Sequence, residues 1–160
     1  MPENLEKHIE SLNKAIKNIR ISDHMLYVTY PVIKDKRLLL KILDQVYDSV
    51  IGVINSILQY DYINKRINLT NNAKQNFETF INKCAKRYNI TPEETDDITE
   101  LITIIEGHRK SPMEFTRMDK IVIMSESLNT LIIDSNKLKK YLSLAKNLVN
   151  KAKFGMSIQP

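Results

Sequence analysis

Apolar positions recur along this chain at helical spacing. Leu5, Ile9, Leu12, Ile16 and Ile19 follow at intervals of four, three, four and three, which places them on one stripe of a helix facing a core. The stripe continues through Asp23, Leu26 and Tyr30. Pro31 is expected to end it, because a residue before proline avoids the helical conformation. A second helix is predicted after Asp35, apolar around a wide arc from Leu39 and Leu40 through Leu43, Val46, Val50, Val53 and Ile54 to Ile57 and Leu58. It reads as the central helix. Gly52 within it costs about 1 kcal/mol against alanine, and the expected reason is a neighbouring helix passing close by.

Polar Asn64 to Asn72 reads as a loop, after which Thr70 or Asn71 is expected to cap a third helix with Phe77, Phe80, Ile81, Cys84 and Tyr88 inside. Thr91-Pro92-Glu93-Glu94 is a start signal for a fourth: hydroxyl cap, proline in the first turn, acids at the positive end. Ile98, Leu101, Ile102 and Ile105 form its inner face, His108 continues the stripe, and the helix is expected to end near Lys110. Ser111-Pro112-Met113-Glu114 repeats the capping pattern and predicts a short helical turn. From Lys120 to Asp134, two β-branched clusters (Ile121-Val122-Ile123 and Leu131-Ile132-Ile133) flank Ser125-Glu126-Ser127 and predict a hairpin. Met118, Ile121, Val122, Leu128, Leu131 and Ile132 would also suit one helical face. The last helix is expected from the Asp134-Ser135 cap, with Leu138, Tyr141, Leu142, Ala145, Leu148, Val149 and Ala152 apolar. The expected fold is mainly α: a single domain over 1–160, an antiparallel bundle of about five helices with a small β-hairpin at 120–134, before the last helix.

Composition narrows the chemistry. Three glycines in 160 residues leave no glycine-rich phosphate cradle, and one cysteine leaves no internal disulfide or multi-cysteine metal site. No cofactor and no metal are expected. No apolar run approaches the roughly 18 residues that span a bilayer, and the start is polar and acidic. A cytoplasmic protein without a membrane partner is therefore expected. The richness in Ile, Lys and Asn reads as codon bias.

The net charge of +5 is unevenly distributed. From Asn136 onward stand six lysines (137, 139, 140, 146, 151 and 153) and no acid, leaving 18 bases against 19 acids elsewhere. The fourth helix is acidic through Glu93, Glu94, Asp96, Asp97, Glu100 and Glu106. Two readings follow. The acidic and basic helices lie side by side and offset each other, or Lys139, Lys146 and Lys153, seven apart on one stripe, face the phosphates of an RNA or an acidic protein. Arg109, Lys110, Arg117 and Lys120 add a second basic group.

Polar residues on a core stripe are the remaining candidates. Arg20, Asp23, His24, Tyr27 and Tyr30 gather near the end of the first helix, with Arg20 and His24 spaced to meet on one face. They form either a small acid-base site or a hydrogen-bonded polar layer, closed by Tyr30 or by Lys34, Lys36 or Arg37. His24 and His108 are expected at opposite ends of an up-and-down bundle, which disfavours a shared metal. Ser111 or Cys84 carries no signature of a nucleophile.

The stretches Ser22-Asp23-His24-Met25-Leu26-Tyr27-Val28-Thr29-Tyr30-Pro31 and His108-Arg109-Lys110-Ser111-Pro112-Met113-Glu114-Phe115 resemble segments of uncharacterised archaeal helical proteins. At the level of fold, the antiparallel helices resemble the HEPN group, whose nucleases use an Arg, four to six residues, then a His. Here three residues separate Arg20 from His24, and the pair lies on the first helix rather than late in the bundle. The expected function is a non-catalytic binding or adaptor protein, with RNA or an RNA-associated assembly as leading partner. The alternatives are a HEPN-like ribonuclease using Arg20 and His24, or a structural subunit of a protein complex.

Overall fold

The computed structural model describes residues 2–110, 113–117, 120–124 and 130–158, with side chains for all of these except 2–5 and 113–117. Helix α1 (Pro2–His24) runs into a π-helical turn (Met25–Thr29) and a last turn, α2 (Tyr30–Ile33). There follow α3 (Lys36–Ile63), α4 (Ala73–Thr79) with a second π-helical turn (Phe80–Cys84), and α5 (Pro92–Lys110). Strands β1 (Met113–Arg117), β2 (Lys120–Met124) and β3 (Thr130–Ile133) precede α6 (Ser135–Gly155). The chain is mainly helical with a small antiparallel β element before its last helix, as its pattern predicts.

Helix α3 is the centre. Leu39, Ile42, Leu43, Val46, Val50, Val53 and Ile57 are wholly buried along it, each side chain contributing roughly 1.5–3 kcal/mol on leaving water. Asp35 caps it by accepting from the Arg37 backbone N–H at 2.9 Å. Gly52 has the expected role: a Cβ there would lie 3.2 Å from the Ala15 Cβ of α1. The capping box at α5 also forms, with Thr91 Oγ1 accepting from the Glu94 N–H and Glu94 Oε1 from the Thr91 N–H, both at 3.1 Å. Asp134 accepts from the Lys137 N–H at the start of α6. Helix α4 is capped by Asn72 rather than Thr70 or Asn71, its carboxamide oxygen accepting from Lys74 and Gln75.

The first helix differs from expectation in two respects. It does not stop at Pro31: Tyr30 keeps helical angles (φ −61°, ψ −43°), and its N–H reaches back to Met25 O across the π turn. Proline lacks an N–H and crowds the carbonyl four residues earlier. The wider turn restarts the helix at Tyr30, so Pro31 falls in a first turn, where it is tolerated. The buried line also keeps Leu12, Ile19 and Leu26 of the predicted stripe but takes His8, Ala15 and Ser22 in place of Ile9, Ile16 and Asp23, leaving Ile9 exposed. Ala15 and Ser22 are small, and helices approach closest over small residues.

Ser11 meets Gln59, and Ser22 Oγ lies 3.5 Å from Gln45 Oε1, so α1 is antiparallel to α3. Glu94 meets Lys151 and Asp97 meets Lys140, so α5 is antiparallel to α6, and Met156 just beyond α6 reaches Ser56 of α3. The C-terminal ends of α1 and α5 therefore share one end of the bundle, correcting the expectation that His24 and His108 point to opposite ends. The reason is the loop after α3. It makes the return journey itself, with Ile67 buried, so α4 runs back parallel to α3 and α5 starts where α3 finished.

The sheet is a three-stranded meander in the order β1-β2-β3. The predicted hairpin is its β2–β3 half, with Ile121 opposite Ile133 and Ile123 opposite Leu131. Ser125-Glu126-Ser127 lies outside the described residues. The helical turn expected from Met113 is replaced by β1, which places Phe115 opposite Val122. An isolated two-stranded hairpin is marginal in water, and β1 satisfies the second edge of β2. Ser111 and Pro112 lie outside the described residues.

Candidate functional site

Two groups of residues that are far apart in sequence converge on the seam between α1 and α6. Lys146 Nζ donates to Asp23 Oδ1 at 2.6 Å. One heptad earlier, Lys139 Nζ sits 5.3 Å from the centre of the Tyr27 ring. Tyr27 is 49% exposed, and Arg20 and His24 are exposed beside it on α1. Asp23 is thus half-exposed and paired across the seam by Lys146, not sealed into the core by Lys34, Lys36 or Arg37. Arg37 instead pairs with Asp35, whose carboxyl it holds below the usual range. Tyr30 is buried, below this surface. Lys153 ends the α6 stripe, half-buried.

The other lysines of α6 face the acidic helix. Lys140 lies 3.2 Å from Asp97, Lys137 lies 3.6 Å from Glu100, and Lys151 pairs with Glu94. Tyr141, buried in the core, donates its hydroxyl to Glu100. That bond is the main reason the Glu100 carboxyl is held below its usual range, and burial is the main reason the Tyr141 phenol is raised. The reading in which the acidic and basic helices offset each other is thus realised by 137, 140 and 151, whereas 139 and 146 meet Tyr27 and Asp23 on the other side of α6. Such exposed pairs contribute only about 0–1 kcal/mol each.

The second basic group does not join the seam as a unit. Arg109 stacks over the Tyr47 ring of α3 at 5.2 Å, and Lys110 and Lys120 are exposed. Arg117 is in β1, outside the residues with described side chains.

A third cluster escaped sequence reasoning. Asp61, on the last turn of α3, is wholly buried and accepts from Arg87 Nη1 at 2.7 Å, Arg66 Nη1 at 3.1 Å and the Tyr88 hydroxyl at 2.9 Å. A helix-ending motif aims the first arginine. Lys65 takes left-handed angles (φ 60°), its N–H bonds Tyr62 O, and the Arg66 N–H bonds Asp61 O. Burial and the adjoining carboxylate push the Cys84 thiol up to about 12, and the same two causes raise the Tyr88 phenol. Cys84 is thus a protonated, buried thiol rather than a nucleophile. The missed signal was Asp61 following Ile54, Ile57 and Leu58 at core spacing, the pattern that drew notice to Asp23.

Among the described residues no three His, Cys, Asp or Glu side chains are grouped to hold a metal ion. A groove of about 620 Å³ between α3, α4 and α5 has an apolar floor of Tyr47, Ile51, Ile54, Leu58, Phe77 and Ile102. Neither Arg20 nor His24 lines it. Comparison with protein-family models, curated proteins and solved structures yields no match. Among the described residues no helix is long and apolar enough to cross a membrane.

Proposed function

We propose that this chain is a non-catalytic adaptor that binds single-stranded RNA along the α1–α6 seam. The supporting observation is the meeting of Lys139 with Tyr27 and of Lys146 with Asp23, which sets an exposed aromatic ring among cations from two helices. An exposed tyrosine ring can accept a stacked base, and flanking Lys and Arg side chains neutralise phosphates. Arg20, Lys139 and Lys153 supply that charge, whereas Lys146 is partly neutralised by Asp23. Fluorescence anisotropy with a single-stranded RNA tests the reading. Tyr27→Ala is expected to weaken binding by about 1–3 kcal/mol. Reversing Lys139, Lys146 and Lys153 to Glu is expected to abolish it at physiological salt. Absence of binding at low salt, or indifference to these changes, sinks the reading.

A structural-subunit role draws on a separate observation. Val28, Val32 and Ile33 are exposed together at the tip of α1 and α2, Val32 by 82%. Sedimentation showing a strict monomer, with these residues inert to substitution by serine, would count against it.

A further inference from the structure

We propose that Arg66 and Arg87 form a binding site for a phosphate group. Both guanidinium groups are fixed by one carboxylate that is itself inaccessible: Asp61 is 0% exposed, while the arginine side chains are 37% and 40% exposed. Both carboxylate oxygens are engaged, accepting from the two arginines and from Tyr88. It orients the two cations and cannot itself touch a ligand.

The charge balance is incomplete. Two guanidinium groups share one negative charge, so the pair carries an excess of one positive charge at a half-open surface. Lys65 and Lys86, both exposed, adjoin the two arginines in sequence. Each arginine donates to Asp61 through Nη1 alone, and among the described residues Nε and Nη2 of both find no acceptor. Arg66 is further steadied by lying 5.7 Å over the Tyr60 ring. Two pre-oriented donor forks suit a tetrahedral oxyanion, which offers several acceptor oxygens and up to two negative charges. Asp61 and Tyr88 thus act as positioning residues, and Arg66 and Arg87 are the groups that touch the ligand.

The site lies at the Asp61 end of α3, and α1 ends beside Gln45, so it is separate from Tyr27 and does not rest on the seam. A free phosphate, a phosphorylated small molecule and a nucleic-acid backbone all present the chemistry recognised here. The test is an NMR titration of the arginine Nε–H signals with inorganic phosphate at constant ionic strength, repeated with a nucleoside monophosphate and with a short RNA. Saturable shifts confined to Arg66 and Arg87 are expected. Saturation by inorganic phosphate assigns a free anion, and saturation by RNA alone assigns a phosphodiester; either sustains the site. Arg87→Lys keeps the charge but loses the fork, and is expected to weaken phosphate binding about tenfold. Shifts no larger than chloride produces overturn the proposal, as does unchanged affinity in folded Arg87→Lys. The unmodified protein suffices for the titration. Loss of RNA binding in the Lys139, Lys146 and Lys153 variant, with the Arg66 and Arg87 shifts intact, separates this site from the seam.

Discussion

Asp61→Asn is the most informative single change in this molecule. The substitution preserves shape and removes one charge at a position with no exposure. The three bonds there come from Arg87 at 2.7 Å, Tyr88 at 2.9 Å and Arg66 at 3.1 Å. An asparagine offers one acceptor oxygen where two were used, and turns an N–H₂ donor toward a guanidinium that also donates. Breaking a buried pair in this way costs about 3–5 kcal/mol. Both guanidinium groups are about two-fifths exposed and can turn toward water, so the lower end, about 3 kcal/mol, is expected. With a urea slope near 2 kcal/mol/M, the unfolding midpoint should fall by roughly 1.5 M. Cys84 supplies an independent reading, because a buried thiol raised to about 12 reacts only when the structure opens. Labelling at pH 8 should accelerate roughly 150-fold in the variant, provided opening is global. A midpoint within 0.3 M of the parent, or unchanged labelling, would refute the view that Asp61 anchors this end of the bundle.

Two further predictions concern packing and pH. At Gly155 an added Cβ would stand 2.3 Å from Cδ1 of the buried Tyr88 ring, whereas at Gly107 it would meet only the end of Leu131 at 3.0 Å. Gly155→Ala is therefore expected to destabilise by about 2 kcal/mol through overpacking, and Gly107→Ala to be neutral or mildly stabilising; equal effects in thermal melts would contradict this contact. His8 is buried with Nδ1 unpartnered and its pKa lowered by desolvation. The unfolded chain then binds a proton that the folded one resists, so stability is full above about pH 6.5 and declines as the pH falls toward the lowered folded value. Glu94 and Glu100 are held below the usual carboxylate range, Glu94 because Lys151 and Thr91 outweigh its burial. Their contribution is present above about pH 4.3 and is lost as the pH falls through the lowered folded values. His8→Leu should abolish the first stage and leave the second, which melts across pH 3 to 8 would show.

The helices were legible because their caps and apolar spacings are local. Asp35, Thr91 and Asp134 each announce a helix start through atoms only two or three residues away. The difficulties arose where distant partners decide. Pro31 reads as a stop until the π turn is allowed for, and β1 reads as a turn until β2 offers an edge. At the seam, the α1 cluster and the α6 lysine stripe were each visible, but nothing local said that they meet. Asp61 was harder still, because its partners lie 5, 26 and 27 residues away and no short motif joins them.

The π turn at Met25–Thr29 also bears on how this surface could arise and be lost. Such a turn holds one residue more than the α-helix around it, the mark of an insertion absorbed without breaking the rod. Every side chain beyond that residue is rotated by about 100° relative to those before it. A relative lacking one residue between Met25 and Thr29 would keep α1 on α3 but turn the segment from Tyr30 onward. Pro31 would then lie in the interior of an ordinary helix, where it is poorly tolerated. Insertion and proline are thus coupled, and a lineage that lost one would be expected to lose the other.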